Sequence, residues 1–259
     1  MNNSALIFDI NAKFASFRKI DSNSSSLTYR FPPRTTIMGI IAAIFGIEKD
    51  SYYELFHNSE IAVKILKPAR TIFQSVNNIK IKNKSELNFL EKGVDENHTI
   101  IPTELLIPIE FSKNLEFRVY FSDEDMNLFE GLLSKLNSGE TEFPISLGYA
   151  NMLSHVKIVG KGELSEFEYE KSYVQIVTPI PMDMIDSLEV KTKESDESLR
   201  ILKDLVPYSV DKERYFKNKV YVFEESGVPM NVKLKKTKGV FSVLYYHKGN
   251  LNSENICFL

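Results

Sequence analysis

The chain has 259 residues, 43% hydrophobic and 26% charged, with a net charge of −3. That size allows one large domain or two small ones, and the composition excludes wholesale disorder, collagen-like repeats and a coiled coil. The longest apolar run, Ile37 to Ile47, is too short for a bilayer span of about 20 residues. MNNSALIFDINAKF lacks the basic flank and apolar block of a secretory signal, so a soluble cytoplasmic protein with no membrane partner is expected.

Ser4 to Ile10 is short, apolar and bounded by Asn, which predicts a buried strand. A polar loop, Asn11 to Ser26, leads to Pro32 and Pro33. The run after them predicts a helix, with Thr35 or Thr36 as its cap and Gly46 as its stop. That helix is apolar nearly all round, as a helix buried on both sides is. A short helix over Ser51 to His57 and a strand over Glu60 to Leu66 follow. Between Lys67 and Glu110, two strand-like runs flank a polar middle, Lys84 to Asn97, which predicts an inserted hairpin. Leu115 to Phe121 alternates as a strand. Ser122-Asp123-Glu124-Asp125 then opens a helix to about Leu136, whose apolar face is Met126, Phe129, Leu132, Leu133 and Leu136. Met152 to Val159 is a further strand. Without the insertion this order is βαββαβ, a ferredoxin-like α+β arrangement.

The last hundred residues predict strands at Tyr173 to Val177, Val220 to Phe223, Val232 to Leu234 and Val240 to Tyr246, and a helix near Ser195 to Leu205. The expected division is a domain over 1–162 with its hairpin insertion at about 67–110, then a smaller β-rich domain over 163–259.

Four histidines without ligand spacing and one cysteine, Cys257, give no metal site. No phosphate-cradling glycine motif is present, so no cofactor is expected. Asp123-Glu124-Asp125 reads as a helix cap before it reads as a metal cluster. Charge is divided unevenly. The first 85 residues hold 12 Lys/Arg against 6 Asp/Glu, and the remainder 20 against 29. Lys13, Arg18, Lys19, Arg30 and Arg34 fall around the start of the first helix, interleaved with Phe14, Phe17, Tyr29 and Phe31. Single-stranded nucleic acid takes that pattern, cations for phosphates and rings for bases. Arg34, Thr35 and Thr36 stand at a helix N-terminus, where an anion is favoured. Arg70, Lys80, Lys82 and Lys84 put charge on the hairpin, where Ile79 and Ile81 alternate with the lysines. The same residues also admit a structural reading, with the aromatics as core and the threonines as caps.

AKFASFR, a Ser-rich loop and TYRFPPRTTIMGIIAAIFGI together resemble the N-terminal signature of the CRISPR-associated Cas-five family, RAMP-superfamily subunits of type I Cascade. PTELLIP at 102–108 and FPISLGYANMLSHVKIVG at 143–160, with its Pro-x-x-Leu-Gly segment, add weaker matches. The resemblance implies a ferredoxin-like domain with a thumb hairpin and a smaller C-terminal β domain. It implies a non-catalytic subunit, of subtype I-B by length and pattern. Such a subunit caps one end of the effector complex and holds the 5′ handle of the crRNA. It contacts the backbone subunit and the large, PAM-reading subunit, and meets target DNA only through the complex, since guide pairing reads the target. The RNA-binding residues expected are Lys13, Phe14, Phe17, Arg18, Tyr29, Arg34, Thr35, Thr36, Arg70, Lys80, Lys82 and Lys84. The alternative is a metal-independent endoribonuclease that processes precursor crRNA. Such enzymes use a Tyr and an adjacent Lys-His pair. Here Lys-His is absent, His247-Lys248 is the reverse order, and His98, with Lys92 near it in sequence, is the remaining candidate base.

Overall fold

A computed structural model describes residues 3–22, 24–79, 81, 83–84, 98–167, 172–189, 200–211, 213 and 215–259. The protein is mostly β. Strand β1 (Ser4–Ala12) is followed by α1 (Arg34–Phe45), α2 (Tyr52–Leu55) and β2 (Glu60–Ile65). Then come β3 (Ala69–Ile79), β4 (His98–Pro108), β5 (Leu115–Ser122), α3 (Met126–Ser138) and β6 (Ser154–Glu166). The later part holds β7 (Val174–Ile176), β8 (Ile180–Pro181), β9 (Ile185–Glu189), β10 (Ile201–Val210), β11 (Phe216–Glu224), β12 (Met230–Leu234), β13 (Val240–His247) and β14 (Asn250–Cys257).

One six-stranded sheet organises the molecule, in the order β14-β13-β6-β1-β5-β2. Every neighbouring pair in it is antiparallel. Helices α1 and α3 cover one face. There Leu6, Phe8 and Ile10 of β1 and Phe117, Val119 and Phe121 of β5 meet Ile37, Ile41 and Ile44 of α1 and Phe129 and Leu132 of α3. On the second face Ala5, Ile7, Ala62 and Tyr120 pack with Val243, Tyr245, Ile256 and Phe258. The sheet curls so far that its two ends meet: the backbone N–H of Leu259, just past β14, donates to the carbonyl of Ile61 in β2 at 2.9 Å. β3 and β4 form a separate two-stranded sheet, and β7-β12-β9 and β10-β11-β8 are three-stranded. No helix among the described residues is long and apolar enough to cross a membrane.

Three local expectations are corrected. Neither Thr35 nor Thr36 caps α1. Pro33 holds the cap position, and its carbonyl takes the N–H groups of Thr36 (2.9 Å) and Ile37 (3.1 Å), because the threonines already lie inside the first turn. Gly46 stops the helix as expected, in the left-handed conformation at φ 78°. The helix expected near Ser195 to Leu205 is not present where the chain is described. Residues 201–210 are strand β10, paired along β11, and Pro207 sits beside a register shift on this edge strand, a place where proline is tolerated. The third correction is Met126, which is half exposed while Phe129, Leu132 and Leu136 are buried. Of the acidic run before α3, Asp125 is the cap, accepting from the N–H of Asn127 at 2.9 Å, and Asp123 accepts from the N–H of Asp125 and from the Ser59 hydroxyl.

Candidate nucleic-acid interface

The loop between β1 and α1 is stitched to its surroundings through its backbone. The Ala15 N–H donates to Leu106 O at 3.0 Å, Ser16 N–H to Leu147 O at 2.8 Å, and Ser26 N–H to Pro102 O at 2.9 Å. The Glu104 carboxylate accepts from the Thr28 N–H at 3.0 Å. Gly148 explains why the Leu-Gly pair stands where it does. Its φ is 124°, and a Cβ there would lie 2.4 Å from the Ser16 carbonyl oxygen, so only glycine lets the 144–148 segment lie against the loop.

This stitching builds an open cleft of about 660 Å³ beside α1. Arg18, Tyr29, Thr35 and Thr36, all anticipated from sequence, line it together. Arg18 is exposed and, among the described residues, makes no ion pair. Thr36 is partly exposed, while Thr35 and Tyr29 are buried and form wall. The Lys19 ammonium stands 5.3 Å above the Tyr29 ring and bonds Asp204 at 2.5 Å. Burial, and then the Asp204 charge, push the Tyr29 phenol up to about 12, so it stays a neutral donor. Sequence reasoning missed Tyr52, Tyr53 and Phe216. The two tyrosines lie with ring centroids 4.4 Å apart and hydroxyls at 3.2 Å, and Gly39 presents no side chain beside them. The adjacent pair Tyr52-Tyr53 was visible in the sequence, but nothing local tied it to Arg18.

The other expected residues fall elsewhere. Arg34 is buried, 6% exposed, and its guanidinium donates to the carbonyls of Phe56 (3.0 Å), His57 (2.9 Å), Ser59 (2.7 Å) and Tyr208 (3.0 Å). Burial pulls its pKa down, opposed by Glu60. It clamps the end of α2 to β10 and has no face turned to a phosphate. Phe17 is core, edge-on to Phe117 at 5.9 Å. Phe14 is exposed. Lys13 caps the carbonyls of Phe111 (3.4 Å), Ser112 (3.4 Å) and Lys113 (2.9 Å). The Arg70 guanidinium lies 5.8 Å from the centroid of the exposed Phe111 ring. Lys84 is exposed; Lys80, Lys82 and Lys92 lie outside the described residues. His98 opens β4 opposite Ile79. Among the described residues no cluster of three His, Cys, Asp or Glu could hold a metal.

The family model of the CRISPR-associated protein (Cas_Cas5) matches residues 5–152, more than half of the chain. The chain belongs to the Cas5 family. Its N-terminal signature, the stitched loop and most of the cleft lining fall within the matched segment, while Pro207 and Phe216 of the cleft lie beyond it. No curated protein matches. Among the solved structures similar in fold are two CRISPR proteins. A chain of a CRISPR RNA-guided surveillance complex is 14% identical, with a TM-score of 0.51, over 87% of this chain and 91% of that one. A CRISPR protein from Archaeoglobus fulgidus is 13% identical, with a TM-score of 0.50, over 97% of this chain and 99% of that one.

Proposed function

We propose that this chain is a non-catalytic subunit of a type I Cascade complex that holds the 5′ handle of crRNA, with part of the handle seated in the cleft beside α1. The observation that carries the reading is the convergence of Arg18, Thr36, Tyr52, Tyr53 and Phe216 on one open cleft in a member of the Cas5 family. A guanidinium with no ion pair among the described residues suits a phosphate, and partly exposed rings suit unstacked bases. In this reading β1, α1, β2, β5, α3 and β6 are the family's ferredoxin-like unit, since their strands lie in the order β6-β1-β5-β2. The β3–β4 pair is its thumb, bringing Arg70 and Phe73 to the RNA, with Phe111 just beyond β4 beside Arg70. The backbone and large subunits dock on the remaining surface.

The test is anisotropy with a labelled handle RNA. Arg18→Ala and Tyr52→Ala should each weaken binding by about 1–3 kcal/mol, the range for losing a charged hydrogen bond or a base stack. Unchanged affinity in both variants removes the cleft from the reading. Repeat RNA incubated with the chain without metal should stay intact. A specific product that disappears in His98→Ala would instead make the chain a processing endoribonuclease.

A further inference from the structure

The second face of the six-stranded sheet changes character along its strands. One end is the apolar cluster around Ile7, Tyr120 and Val243. At the other end the register sets charged and polar residues side by side across four strands. Lys157, Asp9, Arg118 and Lys64 form one row, and His155, Asn11 and Glu116 form the next. Each acid in this region is already engaged. Asp9 takes two bonds from Arg118, at 2.7 and 2.9 Å; Glu116 takes Lys67, and Glu254 takes Lys64, each at 2.5 Å. Lys157 and Lys248 are exposed and, among the described residues, pair with no acid. His247, on the same face of β13 as Tyr245, lies within the field of both lysines and of Arg118. Burial first, then Arg118, Lys248 and Lys157, hold its imidazole below the ordinary value against Asp9 alone, so at neutral pH it is an uncharged hydrogen-bonding group.

Lys248 supplies a second, independent observation. His247 pairs with Asn250, so Lys248 and Gly249 form a two-residue turn, with φ of 52° and 81°. A turn with both φ positive favours Asn-Gly, and lysine is disfavoured at its first position. Local strain of this kind persists where a side chain has a use.

We propose that this charged end of the sheet is a phosphodiester-binding surface in which Lys157 and Lys248 take backbone phosphates beside His247. It shares no residue with the cleft beside α1 and does not depend on the reading of that cleft. A row of cations whose neighbouring acids are all engaged has net positive charge to offer, and phosphates spaced along a strand match it without base recognition.

The experiment measures anisotropy of the full chain across a salt series. The probes are a single-stranded RNA lacking repeat sequence and a duplex DNA, with polyglutamate as competitor. Lys157→Gln combined with Lys248→Asn should lower low-salt affinity about ten-fold or more. It should flatten the slope of log K against log salt by about 1.4 on the single strand or about 1.8 on the duplex, from two lost phosphate contacts. Lys248→Asn alone should give half that flattening with an equal or higher Tm, because asparagine suits the turn, so lost binding is separated from lost folding. An effect confined to RNA or to duplex identifies the source of the phosphates. Unchanged affinity and slope on both probes overturn the proposal. So does polyglutamate that competes as well as nucleic acid at equal charge, which would assign the surface to an acidic protein.

Discussion

Arg34 illustrates how position alone misleads about a cation. Next to a helix start it reads as a phosphate ligand, yet its side chain is spent on four carbonyl oxygens. Three of them belong to the turn after α2, where helix-end carbonyls lack intrahelical partners. Only a planar guanidinium with several donors reaches them together, which lysine cannot imitate. Arg34→Ala removes the bonds to the buried carbonyls of Phe56 and Ser59 and to the partly buried ones of His57 and Tyr208, and should lower unfolding stability by about 3 kcal/mol, read by urea titration. Reduced RNA binding with an unmoved urea midpoint would return Arg34 to the interface. Arg18, sixteen positions earlier, has the same charge and the opposite fate: it is exposed, in the cleft and, among the described residues, without an ion pair.

At the scale of elements, β13 and β14 matter most for what they close. Glu254 of β14 accepts from Lys64 of β2, Tyr120 of β5 and Tyr245 of β13, so one carboxylate ties together three other strands of the curled sheet. Burial alone pushes its carboxyl up, but the Lys64 charge and the three hydrogen bonds outweigh burial and hold it below the ordinary value near 4.5. A carboxyl lower in the folded than in the unfolded state stabilises the fold above the unfolded value, and that contribution is lost as pH falls through the folded value. Tm should therefore fall below pH about 4.5, and Glu254→Gln should remove part of that fall while lowering Tm at neutral pH. An acid limb of the Tm profile identical in the variant would mean other carboxylates dominate.

At the scale of the whole molecule, the charge asymmetry is partly discharged by ion pairs between distant segments. Lys19 pairs with Asp204, Arg30 with Glu225, Lys64 with Glu254 and Lys67 with Glu116, each joining the basic first third to the acidic remainder. The sheet also runs across residue 163, because β13 pairs with β6 and the chain end reaches β2. Fragment 1–162 would lack two strands of the sheet and leave Ile7 and Tyr120, fully buried in the whole chain, without their cover. It should show no cooperative unfolding transition by circular dichroism. A sharp transition in that fragment would establish an independent N-terminal domain.

Local signals were enough for the elements whose pattern is strong. β1, α1, β5 and α3 were legible from alternation, apolar faces, Asp125 and Gly46, because burial and capping act within a few residues. The family was legible too, through the 7–47 signature that the family model also covers. β10 was misread because residues 201–210 become strand by pairing with β11, and β14 was missed because its polar alternation gains meaning only beside β13. The cleft was half legible. Arg18 and Thr36 carried a basic, hydroxyl-bearing pattern, while Tyr52, Tyr53 and Phe216 joined them through packing between distant segments. Which cations stay free was not readable at all. Pairing depends on acids that the fold brings from as far as residue 254 to residue 64, and linear charge counts hold no information about that distance.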